Sequence, residues 1–151
     1  MLAKHSTVVF DDTATAGSRR CLLNFAKNDI GVQLENSTLK GGKINYGGGG
    51  EKTDTGTTDN TTSVLQTFQN VKTGILLTNS ELSFMGRLDS FHNLKGVEAY
   101  NSKINSPQFT VDDNQDEGLY LYDSVMTYGV DGDKFTTIPN GALTTKRAFH
   151  I

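Results

Sequence analysis

Apolar residues recur along the chain in short alternating runs, each opened by a glycine and closed by a polar pair. Residues 31–39 (GVQLENSTL), 74–82 (GILLTNSEL), 96–104 (GVEAYNSKI) and 118–126 (GLYLYDSVM) share one pattern: Gly, aliphatic, any, aliphatic, any, Asn or Asp, Ser, any, aliphatic. Alternation with period two turns Val32, Ile75, Val97 and Leu119, and then Leu34, Leu77, Ala99 and Leu121, toward one face of a strand. The third aliphatic column, Leu39, Leu82, Ile104 and Met126, lies an odd number of residues further on, so a bend must intervene for it to reach the same core. Asn36, Asn79, Asn101 and Asp123, each followed by Ser, stand where that bend is required, and both residue types favour turns by bonding nearby backbone groups. Stacked in register they would form a polar ladder. The glycines at 31, 74, 96 and 118 read as corners, where a positive φ or a close neighbour excludes a Cβ.

The last three copies begin 22 residues apart, while the first two are separated by 43, one short of two periods. This spacing predicts an all-β chain wound as a parallel β-helix, or solenoid, whose turns of about 22 residues stack through parallel strand pairing. A degenerate turn is expected between the first two copies, in the Gly- and Thr-rich residues 47–62, as an excursion or a loosely formed rung. A leucine-rich repeat has a similar period, but the return segments Ser83 to Lys95 and Asn105 to Glu117 share no leucine spacing. The second return carries Ser106-Pro107 and an acidic run over 112–117, which argues against helix. Residues 31–130 are assigned to the β-helix and 1–30 to an N-terminal cap or anchoring segment, with 131–151 a C-terminal cap or a tail swapped onto a neighbour. About five rungs fit, a thin core that favours borrowing burial from identical partners.

The length of 151 residues suits one domain, and Thr, Gly, Asn and Ser supply 57 of them, a β-and-turn composition. A net charge of −3 leaves no electrostatic footprint for nucleic acid or an anionic membrane. No apolar run approaches the ~18 residues of a membrane span, and no signal-peptide core is seen, so a soluble chain without a secretory signal is expected. Cys21 is the only cysteine and reads as a small buried hydrophobe.

Reactive constellations are sparse. His5, His92 and His150 are scattered, and no nucleophile motif accompanies them. Asp112, Asn114 and Asp116 have the spacing of half a calcium loop, but the glycine falls at 118, so a solvated acidic loop is expected, as a turn is at Asp131-Gly132-Asp133. Gly47 to Gly50 lack the Lys-Ser/Thr of a phosphate loop. A glycosidase needs paired carboxylates in a groove; Glu98 with Glu35 or Glu117 is conceivable on neighbouring rungs, but no column of carboxylates singles out a pair. No metal and no cofactor is expected. Outward positions become aromatic toward the C-terminus: Tyr100, Tyr120 and Tyr122, with Tyr128 near them, suggest an exposed strip for a partner or a glycan, with strand filler as the alternative.

The stacked rungs, the Thr/Asn/Gly-rich composition and the lack of catalytic motifs resemble bacteriophage virion proteins built on parallel β-helices: head-decoration or cement proteins, tailspikes and fibres. The resemblance spans Gly31 to Val130 and is architectural. It implies a homotrimer in the virion, bound to capsid protein and stabilising the head without chemistry. A tailspike or fibre module reading host polysaccharide is the alternative, and a polysaccharide-cleaving enzyme the least favoured; no catalytic residue carries over, because no carboxylate motif matches.

Overall fold

The computed structural model describes residues 1–10, 22–42, 63–131, 134–138, 143–145 and 149–150, with side chains described up to Tyr128. Seventeen strands and no helix are found among them: Leu2–Lys4 (β1), Thr7–Phe10 (β2), Leu22–Ala26 (β3), Ile30–Glu35 (β4), Thr38–Gly41 (β5), Val64–Phe68 (β6), Thr73–Thr78 (β7), Glu81–Phe84 (β8), Arg87–Phe91 (β9), Lys95–Tyr100 (β10), Lys103–Ser106 (β11), Gln108–Asp112 (β12), Glu117–Tyr122 (β13), Val125–Asp131 (β14), Lys134–Ile138 (β15), Leu143–Thr145 (β16) and Phe149–His150 (β17).

From β1 to β14 consecutive strands visit three sheets in rotation. The first sheet runs β1-β4-β7-β10-β13-β16, the second β15-β14-β11-β8-β5-β2 and the third β17-β12-β9-β6-β3. All pairings among the first fourteen strands are parallel, while β15, β16 and β17 lie antiparallel on β14, β13 and β12. Residues 1–30 therefore contribute the outermost strand of each sheet at one end, and the segment after Asp131 supplies the reversed strands at the other.

The core columns stack as the alternation predicts. Val32, Ile75, Val97 and Leu119 are register partners, as are Leu34, Leu77, Ala99 and Leu121, and Leu39, Leu82, Ile104 and Met126. All twelve are buried in one cluster, with Phe84 of β8 beside them and Leu65, Leu88, Phe109 and Val111 closing it from the third sheet. The bend between the second and third columns comes from Asn36, Asn79, Asn101 and Asp123, whose φ values lie between 45° and 49°. His5 occupies the same corner one rung earlier, and Lys27, Gln69, His92 and Asp113 form a second left-handed column between the third and first sheets.

Two expectations that carried alternatives are narrowed. β4 pairs directly with β7, so no rung lies between Gly31 and Gly74. Their 43-residue separation is one turn enlarged by a long connection between Gly41 and Val64, whose residues 43–62 lie outside the described ones, and its nearness to two periods is a coincidence of length. Of the two reasons offered for the glycine column, the close neighbour holds and the positive φ does not: among the described glycines only Gly41 and Gly42 have positive φ. Close packing is the reason Gly31 lacks a side chain, since a Cβ there would lie 2.7 Å from the carbonyl oxygen of Gly74. Cys21, Gly47 to Gly50 and Gly132-Asp133 fall outside the described residues.

Candidate functional site: a tyrosine face on the first sheet

Backbone polar groups at the corners must find partners, and serine supplies them. Ser37, Ser80, Ser102 and Ser124 each accept the amide of the equivalent serine one rung before, at 2.9–3.1 Å, beginning with Ser6. Each hydroxyl, Ser6 included, donates to the carbonyl two residues back, at 2.7–2.8 Å. The continuous ladder is thus carried by Ser, one residue after the expected Asn column. Of that column, Asn101 donates its side-chain amide to Asn79 at 2.8 Å on the surface.

A second ladder, not foreseen, runs through Asn28, Asn70, Asn93 and Asn114 at the corner from the third sheet to the first. Asn28 N donates to Asn70 Oδ1 (3.1 Å), Asn70 N to Asn93 Oδ1 (2.9 Å) and Asn93 N to Asn114 Oδ1 (3.0 Å). Asn114 Nδ2 donates to the Ser90 carbonyl at 3.1 Å, so this side chain is turned into the stack and away from the acidic loop. Among the described residues no three His, Cys, Asp or Glu side chains gather as a metal-ligand set.

The outward face of the first sheet holds the aromatic strip. Register places Glu98 beside Tyr120 and Tyr100 beside Tyr122. Tyr100 is central, with ring centroids 5.6 Å from Tyr120 and 6.4 Å from Tyr122, both tilted. Tyr122 is 53% exposed, and Tyr100 and Tyr120 are half-buried. Tyr120 is flanked on its far side by Thr144 of β16. Tyr128 stands on the second sheet and packs against the core, so it is not part of this cluster.

Under the rings lies an ionic cluster that no motif announced. Glu98 is buried, and its Oε1 accepts from Lys95 Nζ (3.1 Å) and Tyr100 Oη (3.2 Å) while Oε2 accepts from Thr73 Oγ1 (2.6 Å). Lys95 also bridges Glu117 at 3.4 Å. The hydrogen bond to Glu98 raises the Lys95 ammonium above its ordinary pKa, aided by the charges of Glu98 and Glu117 and opposed by burial. Burial raises the Tyr100 phenol, with the Glu98 charge acting in the same direction. Glu98 and Glu117 are therefore joined through one cation, and Glu98 has partners on both oxygens. Glu35 belongs elsewhere: it bridges Lys4 at 2.9 Å, and the Lys4 hydrogen bond holds its carboxyl below the usual value.

His5 and His92 are both corner residues with positive φ. The ring of His92 meets Phe91 edge-on at 5.3 Å and lies 4.0 Å from Asp113. For His150 only the backbone, in β17, is described. No family model, no curated protein and no solved structure matches the chain.

Proposed function

We propose that the chain is a parallel β-helix of the bacteriophage virion kind, acting as a non-enzymatic, homotrimeric head-decoration or cement protein located in the virion. The observation that carries this reading is the tyrosine face: three adjacent rings on a sheet held by serine and asparagine ladders, above a carboxylate already committed to Lys95, Tyr100 and Thr73. Such a face offers contact area with polar tips and little conformational entropy to lose, which suits assembly against another protein surface. Its mechanism is mass action: burial between copies, and between the trimer and capsid protein, stabilises the assembled state. Light scattering on a size-exclusion column tests it. The expected mass is three times 16.4 kDa or a whole multiple of that unit, and the three-fold unit is lost in Tyr120→Ser/Tyr122→Ser. A wild-type protein with no three-fold unit at any concentration overturns it.

The same face favours a second reading, recognition of host polysaccharide by a tailspike or fibre module, because tilted tyrosines beside Lys95 and Glu117 suit sugar rings and their hydroxyls. Calorimetric titration with bacterial surface polysaccharides separates the two readings: saccharide binding abolished by Tyr122→Ala favours the second. Release of reducing ends would instead point to the cleaving enzyme.

A further inference from the structure

The two ends of the coil are built differently. At the C-terminal end each sheet finishes in a reversed strand, whereas at the N-terminal end each sheet stops at β1, β2 or β3, whose outer side has no partner strand among the described residues. Parallel strands leave alternate amides and carbonyls directed away from their neighbour, so these three strands present open hydrogen-bonding edges. Proteins commonly blunt such edges with lysine, proline or bulges. Here the twelve edge residues contain one lysine, Lys4, and no proline.

The core is open at the same end. Val8, Leu23 and Phe25 are half-buried, although their register partners one rung further on, Leu39, Leu65 and Thr67, are fully buried. On the outward side, each edge strand carries one exposed aliphatic residue: Leu2 (59%), Val9 (63%) and Leu22 (50%). The serine ladder also ends there. Ser37 accepts the amide of Ser6, but among the described residues no amide is donated to the Ser6 hydroxyl. Lys4 and Asp29 of this rung are bridged to Glu35 and Lys72, so neither brings an unpaired charge to this end.

We infer that the N-terminal end of the coil is a self-association surface, on which a second copy docks end to end across a two-fold axis through β1, β2 and β3. A two-fold contact sets strands antiparallel, and the chain already pairs its last rung with antiparallel strands at the other end. Such a contact is self-complementary and closes after two copies, whereas joining unlike ends would propagate into a filament. It buries Val8, Leu23 and Phe25 and leaves the tyrosine face free. It therefore stands apart from the lateral trimer proposed above, and doubles whatever unit that face builds.

The test is a dilution series by light scattering on the full chain. Wild type is expected at an even multiple of 16.4 kDa, and Val9→Lys/Leu22→Lys at half the wild-type mass. Leu94→Lys, at an exposed position two rungs further along the coil, keeps the wild-type mass. A doubly substituted protein of unchanged mass, an odd-numbered wild type, or a mass that grows without limit overturns the inference. Hydrogen exchange on wild type covers the event that the lysines prevent folding. Amides of β1–β3 should lose protection on dilution while those of β7 and β10 keep theirs, and protection of β1–β3 independent of concentration overturns the inference equally. The trimer reading is judged by a factor of three, and this one by a factor of two.

Discussion

Asn101 holds a φ of +47° and reaches Asn79 across the surface, while Ser102, the next residue, is buried and joins two rungs through its hydroxyl. The two positions separate what a turn needs from what a stack needs. Glycine adopts the left-handed conformation without a steric penalty, so Asn101→Gly should change stability by less than about 1 kcal/mol, the lost surface bond being offset by relief at φ. Ser102→Ala strips the acceptor from the Ser80 amide in a buried corner and one of two donors from the Tyr100 carbonyl, which keeps the Asn79 amide, at a cost of about 1–3 kcal/mol. Urea unfolding of the two variants measures the difference. Equal losses would return the structural role to the asparagine column. The sequence pattern brought both residues into view as one motif, yet it could not tell which faces inward, because Asn and Ser both bond local backbone and both suit bends.

Sheets one and two were legible because their strands repeat every 22 residues: Ile75, Val97 and Leu119 share a column, as do Leu82, Ile104 and Met126. The third sheet was not, and the cause is local. β8 reaches β9 through Met85-Gly86 where β11 reaches β12 through Pro107 alone, and β6 reaches β7 through residues 69–72 where β9 reaches β10 through 92–94, so Leu65 and Leu88 stand 23 apart while Leu88 and Phe109 stand 21 apart. Asn70, Asn93 and Asn114 inherit the same 23 and 21, which hid their ladder. The strip of Tyr100, Tyr120 and Tyr122 was visible from alternation. Its ionic floor was not, because Thr73 and Glu117 are brought to the Lys95–Glu98 pair of β10 only through cross-strand register. That floor on β10 implies a pH dependence. Lys95 and Tyr100 both have raised pKa values in the folded state, so their contribution is complete below the unfolded values and is lost as pH rises through the folded ones. The urea midpoint should therefore fall above about pH 10. Glu98→Gln, which removes the charge acting on both groups, should flatten that fall. An unchanged slope in the variant would detach the alkaline loss from this cluster.

At the scale of the whole molecule, each of the first fourteen strands pairs only with its neighbours in one of three sheets, so stability is expected to follow the regularity of that pairing. The main irregularities sit at one corner, between the second and third sheets. β2 and β3 are separated by residues 11–21, and β5 and β6 by residues 42–63, yet the corresponding link after β8 is two residues long. The flanking register is undisturbed: Gly41 pairs with Phe84, and Val64 with Arg87. Removing residues 43–62 would join Gly42 to Ser63 and leave a two-residue link, matching Met85-Gly86 in length. The backbone at this corner already has its partners in the rung above, since Met85 N donates to the Gly41 carbonyl and Arg87 N to the Ser63 carbonyl, both at 2.8 Å. The shortened chain should fold to the same three sheets and gain about 1–2 kcal/mol from the smaller loop-closure entropy. Circular dichroism of unchanged shape with a higher urea midpoint is the expected result. A shortened chain that loses its β signal would mean that residues 43–62 take part in closing the coil, and that the spacing of 43 between Gly31 and Gly74 reflects a structural need beyond an enlarged connection.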